Sequence, residues 1–257
     1  MFIPLHDANR LQHIKLQYMT LALMGINIAI YLLTTVPGSY EMAAAISFGF
    51  IPAVVNDIAD LPPGFDLIPH QLSYVTYAFL HGNLMHLAGN MLFLWVFGDN
   101  VEDAMGHVRY LVFYILCAVG GAILHGLVIP ESQMPLIGAS GAIAGIVTAY
   151  LVLHPRVKIW VLAFGRIPLR IPAWFVLAGW IAWQFGMFFI GGDDEISWAA
   201  HIGGIVTGGI LVWLLRRRDV PLLDRRIETP RSVAIDASLP AAAIEDTSAW
   251  RGPWSKG

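Results

Sequence analysis

Six stretches of the chain are almost unbroken runs of apolar residues, and each approaches the ~20 residues that a membrane-spanning helix needs. None of them alternates apolar and polar residues with a period of two, so the pattern favours helices and argues against a β-barrel. We therefore predict an all-α membrane protein, a bundle of six transmembrane helices at about residues 16–36, 84–101, 110–129, 140–153, 171–190 and 197–215.

Composition excludes a soluble alternative. Hydrophobic residues make up 57% of the 257 residues and charged residues only 13%, about half of the ~25% that soluble domains carry. A single cysteine, Cys117, excludes an internal disulfide and any Cys-based zinc site. No basic patch with interleaved aromatic residues is present, which argues against a nucleic-acid partner. Polar residues before the first apolar run argue against a cleavable signal peptide.

The positions of the charges predict the topology. All 15 Lys and Arg fall before the first helix, at the junction of helices two and three, between helices four and five, or from the end of helix six onward. With six spans these places share one side, and the positive-inside rule puts both termini in the cytoplasm. The opposite loops hold only acidic charges: Glu41, Asp57, Asp60, Asp66, Glu131, Asp193, Asp194 and Glu195.

The chain divides into a cytoplasmic N-terminal tail (1–15), a transmembrane domain (16–218) and a weakly ordered cytoplasmic tail (219–257). The long first outer loop is apolar and broken by prolines, which predicts short helices lying in the membrane interface. Short tails and the lack of a transit peptide favour a bacterial plasma membrane over an organelle membrane.

Polar residues recur just after the starts of helices two, four and six, which all begin on the outer side. These residues are His86, Asn90, Ser140 and His201. Because each lies within one or two turns of a helix start, we expect all four in one layer near the outer face.

Ser140 lies in the sequence Gly138-Ala139-Ser140-Gly141, at the start of an unusually short helix. Fourteen residues span ~21 Å of a ~30 Å hydrocarbon core, so Ser140 is expected below the outer surface, at the floor of a water-filled cavity. Free N–H groups at a helix N-terminus could stabilise an oxyanion there. The alternative is a small-residue packing stripe, in which Gly141 and Gly145 form a GxxxG motif.

His201 could serve as the base for that serine, since histidine is the usual general base and an intramembrane imidazole is costly. Gly204 and Gly208 follow it as a second GxxxG. Matching glycine stripes would let helices four and six touch and bring Ser140 within hydrogen-bond reach of His201. The alternative is a structural histidine bonded to a carbonyl.

His86 and Asn90 are four residues apart and share one helix face, where both could donate to an oxyanion. Interhelical hydrogen bonding without chemistry is the alternative. Nearby, we expect His81 to be structural and His125 to be at most an accessory. At the inner end of helix two, Asp99, Glu102 and Asp103 predict a structural ion-pair cluster with Arg109.

Taken together, these motifs resemble the rhomboid family of intramembrane serine proteases. The matching sequences are His86-x-x-x-Asn90, Gly138-Ala-Ser140-Gly141 and Ala200-His201-x-x-Gly204-x-x-x-Gly208, supported by Val101-Glu102 at the end of helix two. The resemblance covers roughly residues 16–218 and implies a six-helix rhomboid-like bundle.

The resemblance implies a Ser140–His201 dyad without a third carboxylate. His86, Asn90 and the backbone N–H of Ser140 would form the oxyanion hole, and Gly204 would permit the close contact between helices four and six. Substrates would be transmembrane segments of other membrane proteins, cut within the lipid bilayer without a metal or organic cofactor. The oligomeric state stays open.

Two features depart from the family pattern. Many members carry a Trp-Arg pair in the first outer loop, whereas no Trp or Arg occurs between Pro37 and Leu94 here. Some members carry an aromatic residue four positions after the serine, where this chain has Ala144. Another group must therefore orient His201, and the loop must be anchored differently.

Two other classes of function fit the sequence less well. A non-catalytic rhomboid-like protein that binds transmembrane helices would not need both Ser140 and His201. A small-molecule transporter would show a charged midplane site or internal repeats, and the sequence shows neither.

Overall fold

The computed structural model describes residues 2–7, 9–35, 40–163, 165–191 and 197–223. Its six longest helices occupy the predicted places, and short helices precede the second of them. The α-helices are α1 (Tyr18–Thr35), α2 (Glu41–Phe48), α3 (Pro52–Val55), α4 (Ser73–Thr76), α5 (Leu84–Met105), α6 (His107–Val128), α7 (Ser140–Leu153), α8 (Ala173–Ile190) and α9 (Trp198–Leu215). Two 3₁₀ helices, His70–Leu72 and Tyr77–Phe79, flank α4.

Four helices, α1, α6, α8 and α9, are long and apolar enough to cross a membrane by length and composition. The other two differ in physical character. Helix α7 has only 14 residues, and α5 carries Asp99, Glu102 and Asp103 in its last two turns. The prediction of six helices at these positions is confirmed, whereas the prediction that all six span the membrane stays a prediction.

A small antiparallel sheet, absent from the sequence prediction, joins the N-terminus to the segment between α7 and α8. Its strands are β1 (Phe2–Asp7), β2 (Lys158–Ala163) and β3 (Ile167–Pro172), in the order β1-β2-β3. Alternate residues of β2, namely Ile159, Val161 and Ala163, are buried. The expectation that strands are absent was wrong because all residues of β2 after Lys158 are apolar, so its alternation is visible only in burial.

Asp7, at the end of β1, ties this sheet to two helices of the bundle. Its Oδ2 accepts hydrogen bonds from Asn100 Nδ2 of α5 at 2.8 Å and from Tyr150 Oη of α7 at 2.7 Å. Asp7 is only 3% exposed, and this burial raises its pKa to about 6 although the Tyr150 bond opposes the shift. We call this end of the bundle the sheet end, and the opposite end, where α7 begins, the Ser140 end.

The carboxylates that end α5 bind the segment leading into α1, and the predicted ion-pair cluster with Arg109 was wrong. Glu102 accepts from the backbone N–H groups of Met19 and Thr20 and from the Thr20 hydroxyl. Asp103 accepts from the backbone of residues 12–14. No ion pair among the described residues involves Arg109; Glu102 pairs with His107 instead. Unpaired N–H groups at a helix start attract carboxylates. The spacing of charged residues along the sequence does not predict such a contact with the backbone.

Helix α9 packs closely against both α6 and α7. A Cβ atom at Gly203 would overlap the carbonyl oxygen of Gly120 in α6, and one at Gly204 would overlap that of Gly141 in α7. At Gly208 a Cβ would lie 2.5 Å from the Cα of Gly145. The backbones therefore touch, as the two glycine stripes predict. We call the contact of α9 with α6 and α7 the glycine seam.

The loop between α1 and α5, which the sequence predicts as the first outer loop, is anchored by backbone pairing with the chain that precedes α7. Phe50 and Leu136 exchange two backbone hydrogen bonds of 3.1 and 2.8 Å, and Ala53 N–H donates to Ser132 O. Phe50 is 1% exposed and packs against Tyr77 and His125. These contacts hold the loop without a Trp-Arg pair, and the predicted short helices within it are confirmed.

Two predictions fall outside the described residues. The acidic residues Asp193, Asp194 and Glu195 belong to residues 192–196, between α8 and α9, and the predicted C-terminal tail is outside the described residues from residue 224 onward.

Candidate active site

The four predicted site residues lie on three helices that start at the Ser140 end. Ser140 is the first residue of α7, and His201 lies in the first turn of α9. His86 and Asn90 occupy the first two turns of α5. Asn90 is buried, whereas Ser140, His86 and His201 are each partly exposed. A serine, two imidazoles and an amide thus share one end of the bundle.

The chain reaches Ser140 through a turn that only glycine suits. Gly138 has a φ of +121°, and a Cβ there would lie 2.6 Å from Cε1 of His86. The Gly138 N–H donates to the carbonyl of Tyr77 at 2.9 Å. Ala139 follows as the N-cap and makes no side-chain hydrogen bond to the first N–H groups of α7. Such uncapped N–H groups are candidate donors to an oxyanion.

The glycine seam brings the nucleophile helix and the histidine helix together. Next to Ser140, a Cβ at Gly141 would lie 3.3 Å from the carbonyl oxygen of Ala200, the residue before His201. No hydrogen bond joins Ser140 Oγ to His201 in the described part of the chain. The predicted backbone contact is therefore present, whereas the predicted hydrogen bond between Ser140 and His201 is not formed.

The imidazole of His201 is held from α8. Its Nδ1 lies 2.7 Å from Oε1 of Gln184. The indole of Trp180 is tilted by 32° to the imidazole at a centroid distance of 6.3 Å, and Trp198 meets it edge-on at 6.0 Å. These groups surround the ring where Ala144 offers none. Sequence reasoning missed Gln184, although it is the one amide in an otherwise apolar helix.

The other half of the site contains a pair of histidines. His86 lies against Gly138, and its ring centroid is 5.1 Å from that of His81. Asn90 Nδ2 donates to His81 Nε2 at 2.9 Å. Burial, reinforced by the neighbouring His86, lowers the pKa of His81 to about 3, so His81 is a neutral acceptor. It holds Asn90 by one amide N–H and leaves the second N–H for another acceptor.

His125 does not join this group. Its Nδ1 lies 2.6 Å from the hydroxyl of Ser197, and the same hydroxyl accepts from Ala200 N–H as the N-cap of α9. His125 therefore supports the start of α9 from the end of α6.

Tyr77 is a structural residue of the site that no sequence pattern indicated. It is 1% exposed, and its hydroxyl donates to the carbonyl of Ala118 in α6 at 2.8 Å. The same hydroxyl would lie 3.1 Å from a Cβ at Gly141. Tyr77 thereby joins the first outer loop to α6 and to the start of α7. Its side chain and the carbonyl that binds Gly138 together fix the turn before Ser140.

Within the residues that the structure describes, no three His, Cys, Asp or Glu side chains come together as a metal site. The groups that could take part in a reaction are a hydroxyl at an uncapped helix start, a nearby imidazole, and side-chain donors on α5. Such a set suits nucleophilic attack on a carbonyl with general-base assistance.

Comparison with known proteins places these residues within a known domain. The family model for the rhomboid domain matches residues 69–218, which contain all four predicted site residues. Rhomboid protein 1, mitochondrial, of Saccharomyces cerevisiae is 27% identical over 213 residues, covering 80% of this chain and 56% of that protein. Rhomboid-like protein 11, chloroplastic, of Arabidopsis thaliana is 28% identical over 166 residues, covering 62% of this chain and 58% of that protein.

Relatives that match over a shorter part of the chain include an animal protein. Rhomboid-related protein 1 of Caenorhabditis elegans is 31% identical over 140 residues, which cover 52% of this chain and 37% of that protein. The chain spans little more than half the length of the first two relatives, so their whole-protein properties are not carried over by similarity alone.

Proposed function

Since the chain belongs to the rhomboid family, we propose that it is an intramembrane serine endopeptidase that cleaves transmembrane segments of other membrane proteins. The chain is a multi-pass membrane protein, so a substrate helix in the same bilayer is a natural partner. The observation that carries the proposal is the glycine seam, which sets the residue after Ser140 against the residue before His201.

In the proposed reaction, Ser140 Oγ attacks the scissile carbonyl carbon while His201 takes the hydroxyl proton. The tetrahedral intermediate collapses, the C–N bond breaks, and His201 returns the proton to the leaving amine. Water then attacks the acyl-enzyme, again with His201 as base, and releases the new carboxyl group and Ser140. The steps need no cofactor.

We assign the oxyanion hole to His86, Asn90 and the Ser140 backbone N–H. The uncapped start of α7 supports the backbone donor, and the second amide N–H of Asn90 supports the side-chain donor. His86, packed on Gly138, supplies a donor from the other wall. Each such donor contributes ~10²–10³ in rate when it meets the developing charge.

The proposed topology has six spans with both termini in the cytoplasm. Every Lys and Arg among the described residues belongs to a segment that meets the sheet end, which supports the positive-inside assignment. The Ser140 end then faces outward. A bacterial plasma membrane stays a prediction, and the relatives above include proteins named mitochondrial and chloroplastic.

The test combines active-site labelling with cleavage. Wild-type protein in proteoliposomes should react with a fluorophosphonate and cleave a transmembrane reporter, whereas Ser140→Ala and His201→Ala should lose both activities. Ser140→Ala should keep the wild-type thermal unfolding midpoint, and His201→Ala should stay folded with a lower midpoint, because it leaves the buried amide of Gln184 without its partner. Ser132→Ala, in the loop before α7, is the matched control and should behave as wild type.

Cleavage by folded Ser140→Ala or His201→Ala would overturn the proposed dyad. Folded wild type that neither labels nor cleaves a panel of transmembrane reporters would support the non-catalytic helix-binding alternative instead. The observation that favours this non-catalytic alternative is that Ser140 and His201 form no hydrogen bond in this structure.

A further inference from the structure

Gln184 is a polar residue in an unusual position. Gln184 is 3% exposed, whereas most residues of α8 are exposed or partly exposed, and the other buried residues of this helix are apolar: Ala173, Val176 and Leu177. Burying an amide without a hydrogen bond costs ~1–3 kcal/mol in proteins. The hydrogen bond that compensates this burial is the one to His201.

The chemistry of the amide fixes the proton on the imidazole. A glutamine Oε1 can only accept a hydrogen bond, so the 2.7 Å contact requires that His201 Nδ1 carry the hydrogen. In a neutral imidazole the other nitrogen, Nε2, then has a free lone pair, as a general base requires. The arrangement matches the general pattern in which a third group orients the base of a nucleophile.

Packing around the ring supports the same role. Trp180 lies one helical turn before Gln184 on α8, so both side chains approach His201 from one face of that helix. Trp198, one turn before His201 on α9, closes the adjacent side. The polar contact selects the tautomer, and the two indoles restrict rotation of the ring.

We propose that Gln184 is the positioning residue of the active site, holding His201 in the Nδ1–H tautomer with Nε2 free to accept the Ser140 proton. The inference rests on the proposed protease function and extends the dyad to a Ser140–His201–Gln184 triad. In this triad Gln184 orients His201, and only Ser140 and His201 touch the reacting atoms. An amide in place of a carboxylate orients the imidazole without burying a charge in the bundle.

Three substitutions separate positioning from packing. Gln184→Met keeps the length of the side chain but removes the acceptor. Gln184→Glu keeps an acceptor oxygen, and Leu177→Met changes another buried position of α8 without touching His201. In proteoliposomes we measure kcat and KM on a transmembrane reporter, together with the rate of fluorophosphonate labelling.

Gln184→Met should lower kcat and the labelling rate by roughly 10–100-fold, the usual effect of losing a partner that orients a reactive imidazole, with KM within about twofold of wild type. Gln184→Glu should recover most of the rate, and Leu177→Met should match wild type. A wild-type rate in folded Gln184→Met, or equal losses in the Met and Glu variants, would overturn the assignment.

A second measurement does not depend on how well the Gln184 variants fold. The ¹⁵N spectrum of histidine-labelled wild type, assigned against His201→Ala, should show His201 protonated at Nδ1 and unprotonated at Nε2. The reverse tautomer overturns the inference even if the enzyme is active. If wild-type protein shows no Ser140-dependent labelling, the proposed protease function fails, while the tautomer result still decides whether Gln184 positions His201.

Discussion

Helix α9 is held in two different ways on its two flanks. Against α6 and α7 it packs backbone to backbone, with glycines meeting carbonyl oxygens at Gly203 and Gly204. Against α8 the recorded contacts with His201 come from side chains, through Gln184 and Trp180. Many large apolar residues of α8, among them Trp183 and Phe189, face outward.

The difference separates two requirements of a buried hydrolytic site. A backbone contact has no rotamers and cannot adjust, so it fixes the distance between the α7 and α9 backbones at Ser140 and His201. A side-chain contact can adjust by rotamer changes, so it suits the finer task of aiming one ring. We therefore expect substitutions in the glycine seam to alter folding and substitutions along α8 to alter rate or nothing.

The largest expected effect is that of Gly204→Ala. Its new methyl group would overlap the backbone carbonyl of Gly141, and no side-chain movement can relieve the overlap. We expect the free energy of unfolding in detergent to fall by ~3 kcal/mol or more, the upper part of the range for overpacking, and cleavage to disappear with the seam.

Gly209→Ala is the matched control on the same helix, because its Cβ would meet only Thr148 Cγ2 at 3.6 Å. It should unfold within ~0.5 kcal/mol of wild type. A Gly204→Ala variant as stable as Gly209→Ala would show that α7 and α9 do not touch in the membrane.

The next effect tests the turn that delivers Ser140 to the seam. Gly138→Ala places a methyl 2.6 Å from the His86 ring and holds an L-residue at a φ of +121°. Strain of this kind costs ~1–3 kcal/mol, and the His86 ring must shift from its place beside Gly138. We expect kcat to fall at least tenfold. This loss should be larger than any loss of folded protein, judged from the thermal midpoint, can explain.

Gly82→Ala serves as the control for this position, since its Cβ would make only an ordinary 3.5 Å contact with Ile137 Cδ1. Equal activity of the two variants would mean that neither the turn nor the His86 position matters for catalysis.

The seam and the sheet end also mark how far sequence carries the argument. The glycines of α7 and α9 are legible because close helix packing needs small residues at a spacing of four. Strand β2 was missed because all its residues after Lys158 are apolar. The role of Glu102 was misread because its partners are the backbone N–H groups of Met19 and Thr20. Every residue except proline has a backbone N–H, so the sequence does not show which of these groups a carboxylate will bind.

Gln184 and His81 illustrate a second limit. Each is a single polar residue whose partner lies on another element, His201 for the first and Asn90 for the second. Periodicity can place a residue on a helix face, but the pairing of two side chains depends on how elements pack. Asking which buried amide or imidazole lacks a local partner would have drawn attention to both.

A smaller, pH-dependent effect is expected at the sheet end, where Asp7 holds Tyr150 of α7. Burial raises the pKa of Asp7 from 3.8 to about 6, so the folded protein binds this proton more tightly than the unfolded chain. The stability that protonation adds is fully present below pH 3.8 and is lost as the pH rises through about 6. The change reaches at most ~3 kcal/mol.

Asp7→Asn removes the titration while keeping an oxygen to accept from Tyr150 Oη. Unfolding free energies of both proteins, measured in detergent from pH 4 to pH 8, isolate this contribution. Wild type should lose stability relative to Asp7→Asn as the pH rises across this range. A constant difference between the two would contradict a raised pKa at Asp7.

The smallest effect is expected on α8, at Gly179 and Gly186. A Cβ at either position would meet nothing within 4 Å, in contrast to the overlap at Gly204. Alanine also has the higher helix propensity, by up to ~1 kcal/mol in water. Gly179→Ala and Gly186→Ala should therefore keep or slightly raise the unfolding midpoint, with cleavage within about twofold of wild type. If either variant unfolds as readily as Gly204→Ala, then α8 is packed as tightly as α7, and Gln184 could not act as an adjustable support for His201.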